Sequence, residues 1–329
     1  MTTAPAEAQE VATSPVLRIL GGLLRSRETP VAFALIVLIL FTYANNNRFL
    51  SAQGIKDLLL NATIIIILAV GQALVIIDRN VDLFSTVSGI PIIVVFLAGM
   101  ALGALLGALN GLLVAGAKVP ALVITLGTLY VYRGFNNAWA GGKQYFADDR
   151  PKDFGALSTD TVLGFPLITL LAILVVAIVA LYMKGTRPGR DLYAIGSDPD
   201  AAHLFGIPVA RRVFLAFVAN GLLAGLAGVL YASRFNSVGA TTGTGLELSV
   251  VAAAVVGGVA IFGGSGSVVG AAIGAVLLTT ITSALTALRV DKFWQQAIVG
   301  LLILAAIIID RVATVRNTKK RRVSEARNV

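Results

Sequence analysis

The chain has 329 residues, of which 57% are hydrophobic and 13% charged, with a net charge of +9 and no cysteine; its mean hydropathy is +0.87. A water-soluble domain carries about 25% charged residues, so that class is excluded, and without cysteine there are no disulfides, thiolate metal sites or cysteine nucleophiles. The single His203 excludes a multi-histidine metal site, and the positive charge lacks the exposed polar surface that nucleic-acid binding requires.

Residues 1–30 form a polar tail holding Arg18, Arg25 and Arg27, and the apolar run Val31 to Ala44 follows without a small-residue cleavage site. This predicts an uncleaved first helix. Further apolar blocks are Leu58 to Ile77, Val94 to Gly116, Pro120 to Tyr132, Val162 to Met183, Val213 to Ala232, Leu248 to Phe262, Val268 to Leu288 and Phe293 to Ile309. Lipid offers no partner to an exposed backbone amide, so blocks of this length predict helices and not open strands. At about 20 apolar residues per crossing, the fold class is all-α, a polytopic helical membrane protein of about nine to ten transmembrane helices. The membrane domain spans 31–311 and contains a polar cytoplasmic segment at 184–212. In the basic tail 312–329, Lys319, Lys320, Arg321 and Arg322 mark a solvated stop at the lipid surface.

If both termini are cytoplasmic, 17 of the 26 Lys and Arg residues fall on the inner side, as the positive-inside rule demands. That orientation requires an even number of crossings between the first tail and 184–212, yet only five full blocks lie there. Residues 83–117 would make a continuous helix of about 52 Å at 1.5 Å per residue, too long for one hydrocarbon core of about 30 Å and too short for two helices and a turn. The expectation is one full helix plus a short or re-entrant piece around Phe84 to Ile93, broken at Gly89 and Pro91.

Gly99, Gly103, Gly107 and Gly111 recur every four residues, so they share one helix face and let another backbone come close. Gly221 and Gly225 repeat the device, as do Gly266, Gly270 and Gly274. The best-punctuated polar stretch is 184–212. Ser197 or Asp198 is placed to cap a helix, Pro199 suits its first position, Gly206 ends it and Pro208 prevents its resumption. The result is a helix of about two turns, with Asp200, Ala201, Ala202, His203, Leu204 and Phe205 offering a small apolar face before Gly206 and Ile207. A helix this short is marginal alone in water. Composition leaves docking onto a partner and lying on the lipid surface equally open, and reads His203 as an exposed or docking residue, not a proton carrier.

The run GRDLYAIGSDPDAAHLFGIPVARR at 189–212 resembles the cytoplasmic coupling segment of permease subunits from bacterial ABC importers of monosaccharides, the ribose, xylose and galactose type. Three further stretches agree: AVGQALVIIDRNVDL (69–83), ALLGALNGLLVAGAKVPALVITLGTLYVYRG (104–134) and GTGLELSVVAAAVVGGVAIFGGSGSVVGAAIGA (243–275). FWQQAIVGLLILAAIIID (293–310) is similar to the family's last helix. The similarity covers most of 45–311 and is nearest to the branch that includes rhamnose and autoinducer-2 permeases.

The resemblance implies a subunit of about ten helices in the bacterial inner membrane. It would pair with a second permease, a copy of itself or a paralogue, and the pair would be served outside by an extracytoplasmic sugar-binding protein and inside by two ATPase subunits. It assigns Asp198, Pro199, Ala201, Ala202, His203, Leu204, Phe205, Gly206 and Ile207 to docking on the ATPase. The chain departs from the family pattern between Asp82 and Val94, where a Gly- and Ser-rich third helix is usual and Phe84 to Ile93 stands in its place.

No G-x-x-x-x-G-K followed by Ser or Thr occurs, so nucleotide hydrolysis is expected in partner subunits and not in this chain, which is read as no enzyme and as needing no cofactor. Asn61, Gln72, Asn110, Thr125, Asn220 and Ser249 are polar residues within apolar blocks. Carboxamides and hydroxyls match sugar hydroxyls without a charge to desolvate, and interhelical hydrogen bonding is their competing use. Gln72, Asn110 and Thr125 fall in family-like stretches and are the path candidates. Asp82 and Glu247 precede leucines at the heads of apolar segments, where a helix dipole favours a carboxylate. The reading is an importer permease working by alternating access. Its rivals are an ion-coupled secondary transporter or channel, and a non-transporting partner of another permease.

Overall fold

The computed structural model describes residues 29–74, 92–117, 119–141, 144–146, 152–162, 164–235, 237–239, 242–261, 263–301 and 304–305. In chain order these form α1 (Thr29–Asn45), α2 (Ala52–Leu74), α3 (Ile92–Ala117), α4 (Ala121–Ala140), β1 (Gln144–Phe146), α5 (Lys152–Thr159), β2 (Thr161–Val162) and β3 (Phe165–Pro166). There follow α6 (Leu167–Gly185), α7 (Arg187–Ser197), α8 (Pro199–Leu204), α9 (Val209–Arg234), β4 (Ser237–Gly239), α10 (Leu246–Val256) and α11 (Val268–Ala287). Residues 292–301 are helical as well. Residues 1–28 of the first tail and the basic tail 312–329 lie outside the described residues. Among the described residues, α2, α3, α6, α9 and α11 are long and apolar enough to cross a membrane.

α2 is the central helix. Its Leu60, Ile67 and Val70 join Ile168, Ala172 and Val179 of α6 and Leu223, Leu226, Ala227 and Leu230 of α9 in one buried cluster. From its other side Ala69 joins Val250 and Ala252 to Ala254 of α10 and Ala271, Ala275 and Leu278 of α11. The hydroxyls of Thr63 and Thr169 meet at 3.1 Å in this interior, so the polar groups buried there satisfy one another.

Among the described elements, α3 and α9 share the most extensive contact. Gly103 faces the backbone of Gly221 and Gly225, Gly107 faces Phe217 and Gly221, and Gly99 faces Gly225 and Val229. A Cβ on Gly103 would stand 2.9 Å from the Gly225 Cα, so only glycine allows this approach. The remaining faces of α3 carry exposed Ile93, Leu97, Leu105 and Leu112, as a lipid-facing surface requires.

These contacts also fix directions. Gly99 lies level with Gly225 and Gly111 level with Phe214, so α3 runs antiparallel to α9. Asp57 pairs with Arg234 at 3.2 Å while Gly71 lies against Asn220 and Leu223, so α2 is antiparallel to α9 too. The consecutive helices α2 and α3 therefore point the same way, with Leu74 and Ile92 at opposite ends of the bundle. That is the geometric form of the odd number of blocks in this part of the sequence. The re-entrant piece expected at Phe84 to Ile93, with its break at Gly89 and Pro91, lies outside the described residues except for Ile92 and Ile93, which belong to α3.

The end of the bundle that holds 185–209 and 263–267 is here the loop end. The far end holds 46–57, 152–162, 164–166, 234–235, 237–239 and 286–292. There β1 pairs antiparallel with β4, Gln144 opposite Gly239, and β2 with β3. α5 closes this end: Phe154 packs with Val95, Val229 and Ala232, and the Ser233 hydroxyl donates to the Phe154 carbonyl at 2.7 Å.

The elements differ from the apolar blocks in identifiable ways. α2 begins six residues before its block, because Lys56 bonds the Thr159 carbonyl at 2.8 Å and Asp57 meets Arg234, which gives its charged first turns partners at the far end. α10 stops at Val256 where the block ran to Phe262, because Gly257 and Gly258, the latter at φ 88°, turn the chain.

Replacing Gly103 by valine forces a side chain into the α9 backbone and should cost about 1–3 kcal/mol. Gly127→Ala in α4, where a Cβ meets nothing within 4 Å, should instead add up to about 1 kcal/mol. Thermal unfolding in detergent micelles, followed by tryptophan fluorescence, checks the opposite signs.

Candidate coupling site and polar path

The segment between α6 and α9 is built by two successive helix starts of the same kind. The Thr186 hydroxyl accepts from the Gly189 amide at 3.1 Å, opening α7 with Pro188 in its first turn. Asp198 then ends α7, its amide bonding the Ala194 carbonyl at 3.1 Å, and starts α8. Its Oδ1 accepts from the Asp200 and Ala201 amides, each at 3.0 Å. Pro199 takes the first helical position, where a missing N–H costs nothing. At the other end the Gly206 amide bonds the His203 carbonyl at 3.0 Å and the Ile207 amide bonds the Ala202 carbonyl at 3.1 Å. With Gly206 at φ 78°, this is a Schellman closure, which satisfies the last carbonyls of the helix.

α8 is therefore capped at both ends and has one orientation. Ala202 is buried against the body, whereas Leu204 and Phe205 are each 86% exposed and His203 is exposed beside them. α7 was absent from the sequence reading, although Thr186 and Pro188 carry the same cap-and-proline signal that announced α8. Asp191 of α7 is locked to Arg212 in the first turn of α9 at 2.9 Å, both side chains about four-fifths buried. Arg190 donates to the carbonyls of Lys184 and Gly185 at the end of α6, where cations are favoured. Burial pushes the Tyr193 phenol above its ordinary value near 10, so it stays a donor through neutral pH. It bonds the Gly266 carbonyl at 3.1 Å.

The path candidates separate. Gln72 lies in α2, and its side chain is outside the described residues. Asn110 and Thr125 are both fully buried within this chain. The Tyr132 hydroxyl donates to Asn110 Oδ1 at 3.3 Å, joining α3 to α4, and the Thr125 hydroxyl bonds the Ala121 carbonyl of its own helix at 2.8 Å. Asn220 is buried in α9. Asn61 instead lines an open cavity of about 400 Å³ at the far end, together with Asn46, Arg48, Asp57, Ser283 and Thr286. Glu247 in the first turn of α10 meets Arg133 of α4 at 3.9 Å, a partner that the sequence did not reveal.

Gly99, Gly103, Gly107 and Gly111 lie along one face of α3 against α9, as described. Gly274 packs on Ala253 and Gly257, and Gly257 meets the Gly270 backbone. Gly266 does not share that face. It sits in the loop before the helix at φ 149°, because Ser267, whose hydroxyl accepts from the Gly270 amide at 3.3 Å, is the cap of α11.

The model of the family described as branched-chain amino acid transport system / permease component matches residues 80–307. The chain belongs to this permease family. It is 38% identical over 302 residues to the autoinducer 2 import system permease protein LsrC of Enterobacter sp. (strain 638), covering 88% of each chain. To the protein of the same name from Escherichia coli (strain K12 / DH10B) it is 36% identical over 314 residues, 90% of this chain and 91% of that one. The Salmonella paratyphi B protein of that name is 35% identical over 90% of both. No solved structure matches the chain.

In this permease, Asp198→Ala removes the acceptor for two amides and should destabilise α8 by about 1 kcal/mol. Hydrogen exchange at the 200–204 amides should accelerate several-fold while α9 is unaffected.

Proposed function

We propose that the permease is the membrane-spanning subunit of an ATP-driven importer that moves a monosaccharide across the bacterial inner membrane by alternating access. One observation carries the coupling assignment: a fully capped helix of six residues holds Leu204 and Phe205 almost entirely out of the protein. Two large apolar side chains beside each other in a polar segment are costly to leave in water, and a groove on an ATPase surface would bury them. In this reading the loop end is cytoplasmic and both termini lie on that side. α8 is the contact for one of two ATPase subunits, a second permease completes the path, and an extracytoplasmic sugar-binding protein delivers the solute to the far end.

The substrate class rests on the resemblance to the monosaccharide branch and on relatives named for autoinducer 2 import. Asn110 serves the path indirectly, as the point on α3 that Tyr132 of α4 touches, and Thr125 braces the first turns of α4.

Replacing both Leu204 and Phe205 by aspartate leaves the caps intact and removes the apolar contact. If these are interface hot spots worth about 2 kcal/mol or more, capture of the ATPase by the purified permease should weaken at least about thirty-fold. Unchanged capture removes the coupling assignment.

A further inference from the structure

The mount of α8 points to a second element that shares its motion. Gly196, just before the end of α7, lies backbone against backbone on the loop that leads into α11. A Cβ on Gly196 would stand 2.5 Å from the Gly264 amide nitrogen, one on Gly263 2.7 Å from the Gly196 carbonyl, and one on Gly264 2.8 Å from the Ser197 Cα. Gly263 and Gly264 hold φ of 84° and 75°, a conformation that glycine adopts freely. One turn earlier on α7, Tyr193 donates to the Gly266 carbonyl at 3.1 Å. The next residue, Ser267, is the cap of α11.

The contact therefore joins the body carrying α8 to the start of a helix of 20 residues, about 30 Å long at 1.5 Å per residue. α11 ends at the opposite face, where the Asn46 side-chain Nδ2 donates to the Ala287 carbonyl at 3.2 Å and Ser283 and Thr286 line the far-end cavity with Arg48 and Asn61. Backbone contacts between glycines contain no rotamer that could absorb a displacement, so a shift of α7 and α8 is passed on to α11.

We propose that Tyr193 and Gly196 are positioning residues for transport, which clamp α7 to the 263–266 loop so that movement of α8 is delivered through α11 to the cavity at the far end. The inference rests on the importer reading, and its test separates the two. The chain has no cysteine, so Arg48→Cys and Thr286→Cys introduce two spin labels across the cavity, attached before assembly with the ATPase. In the assembled complex, ATP with vanadate should change the label separation by about 2 Å or more, the scale of helix shifts in switching proteins. Tyr193→Phe removes only the hydroxyl, and Gly196→Ala inserts only a methyl group. Both should capture the ATPase as the unsubstituted chain does, while the separation change falls to less than half.

An undiminished change in Tyr193→Phe, or in both variants, overturns the clamp, as does a complex that captures ATPase but shows no change at the cavity. If Gly196→Ala fails to fold, Tyr193→Phe decides alone. A permease that captures no ATPase overturns the importer reading, and the clamp with it.

Discussion

In hydrocarbon a helix gains nothing by burying leucine against leucine, because lipid tails are as apolar as the partner side chain. Association has to come from dispersion between closely fitted surfaces, and the closest fit is backbone on backbone. Gly99, Gly103 and Gly107 on α3 against Gly221 and Gly225 on α9 provide it. This constraint explains why α3 can expose leucines along most of its length and still belong to the bundle. It also explains why α9, antiparallel to both α2 and α3, organises the order of the helices around it. α2 contributes a different kind of interface, built from Ala, Ile, Val and Thr, in which Thr63 and Thr169 satisfy each other in the interior.

What could be read from the sequence was what is local. The cap, proline and glycine around α8 are contiguous, and each acts on the residues beside it, so Asp198, Pro199, Gly206 and Pro208 mark that helix without tertiary information. The same logic would have found α7 through Thr186 and Pro188, but Gly189 and Gly196 argue against a helix by propensity. The structure shows both at close contacts: Gly189 lies on Met183 and Gly196 on Gly264. Spacing misled at Gly266, where a four-residue period continued across a loop that Ser267 should have marked as a helix start. Residue type marked Asn110 and Thr125 as polar within apolar blocks, but not the direction in which they point. The partners of Arg133 and Gly196, Glu247 and Gly264, are distant in the chain, and no local pattern names them.

Parity constrains the chain where composition is ambiguous. Counting blocks in the sequence left one crossing short between the first tail and 184–212, and the parallel course of α2 and α3 restates that deficit in space.

The attachments of α4 contrast with those of α3 and α7. α4 is tied to its neighbours by Tyr132 on Asn110 at 3.3 Å and by Arg133 near Glu247 at 3.9 Å, with both charged side chains about 30% exposed. Both contacts are long, and the partly exposed ion pair contributes about 0–1 kcal/mol, so they stretch or re-form with little disturbance of a packed core. Tyr130, Phe135 and Trp139 on the same helix are more than two-thirds exposed, so little apolar packing resists its displacement. α7, with Gly196 against Gly264, and α3, with Gly103 against Gly221, have no such compliance, because any shift drives backbone into backbone. In the proposed coupling, a stroke entering at α8 would therefore carry the glycine-packed elements as bodies, and α4 is where relative motion costs least. This division suits a subunit that must hold its own fold while opening and closing a path.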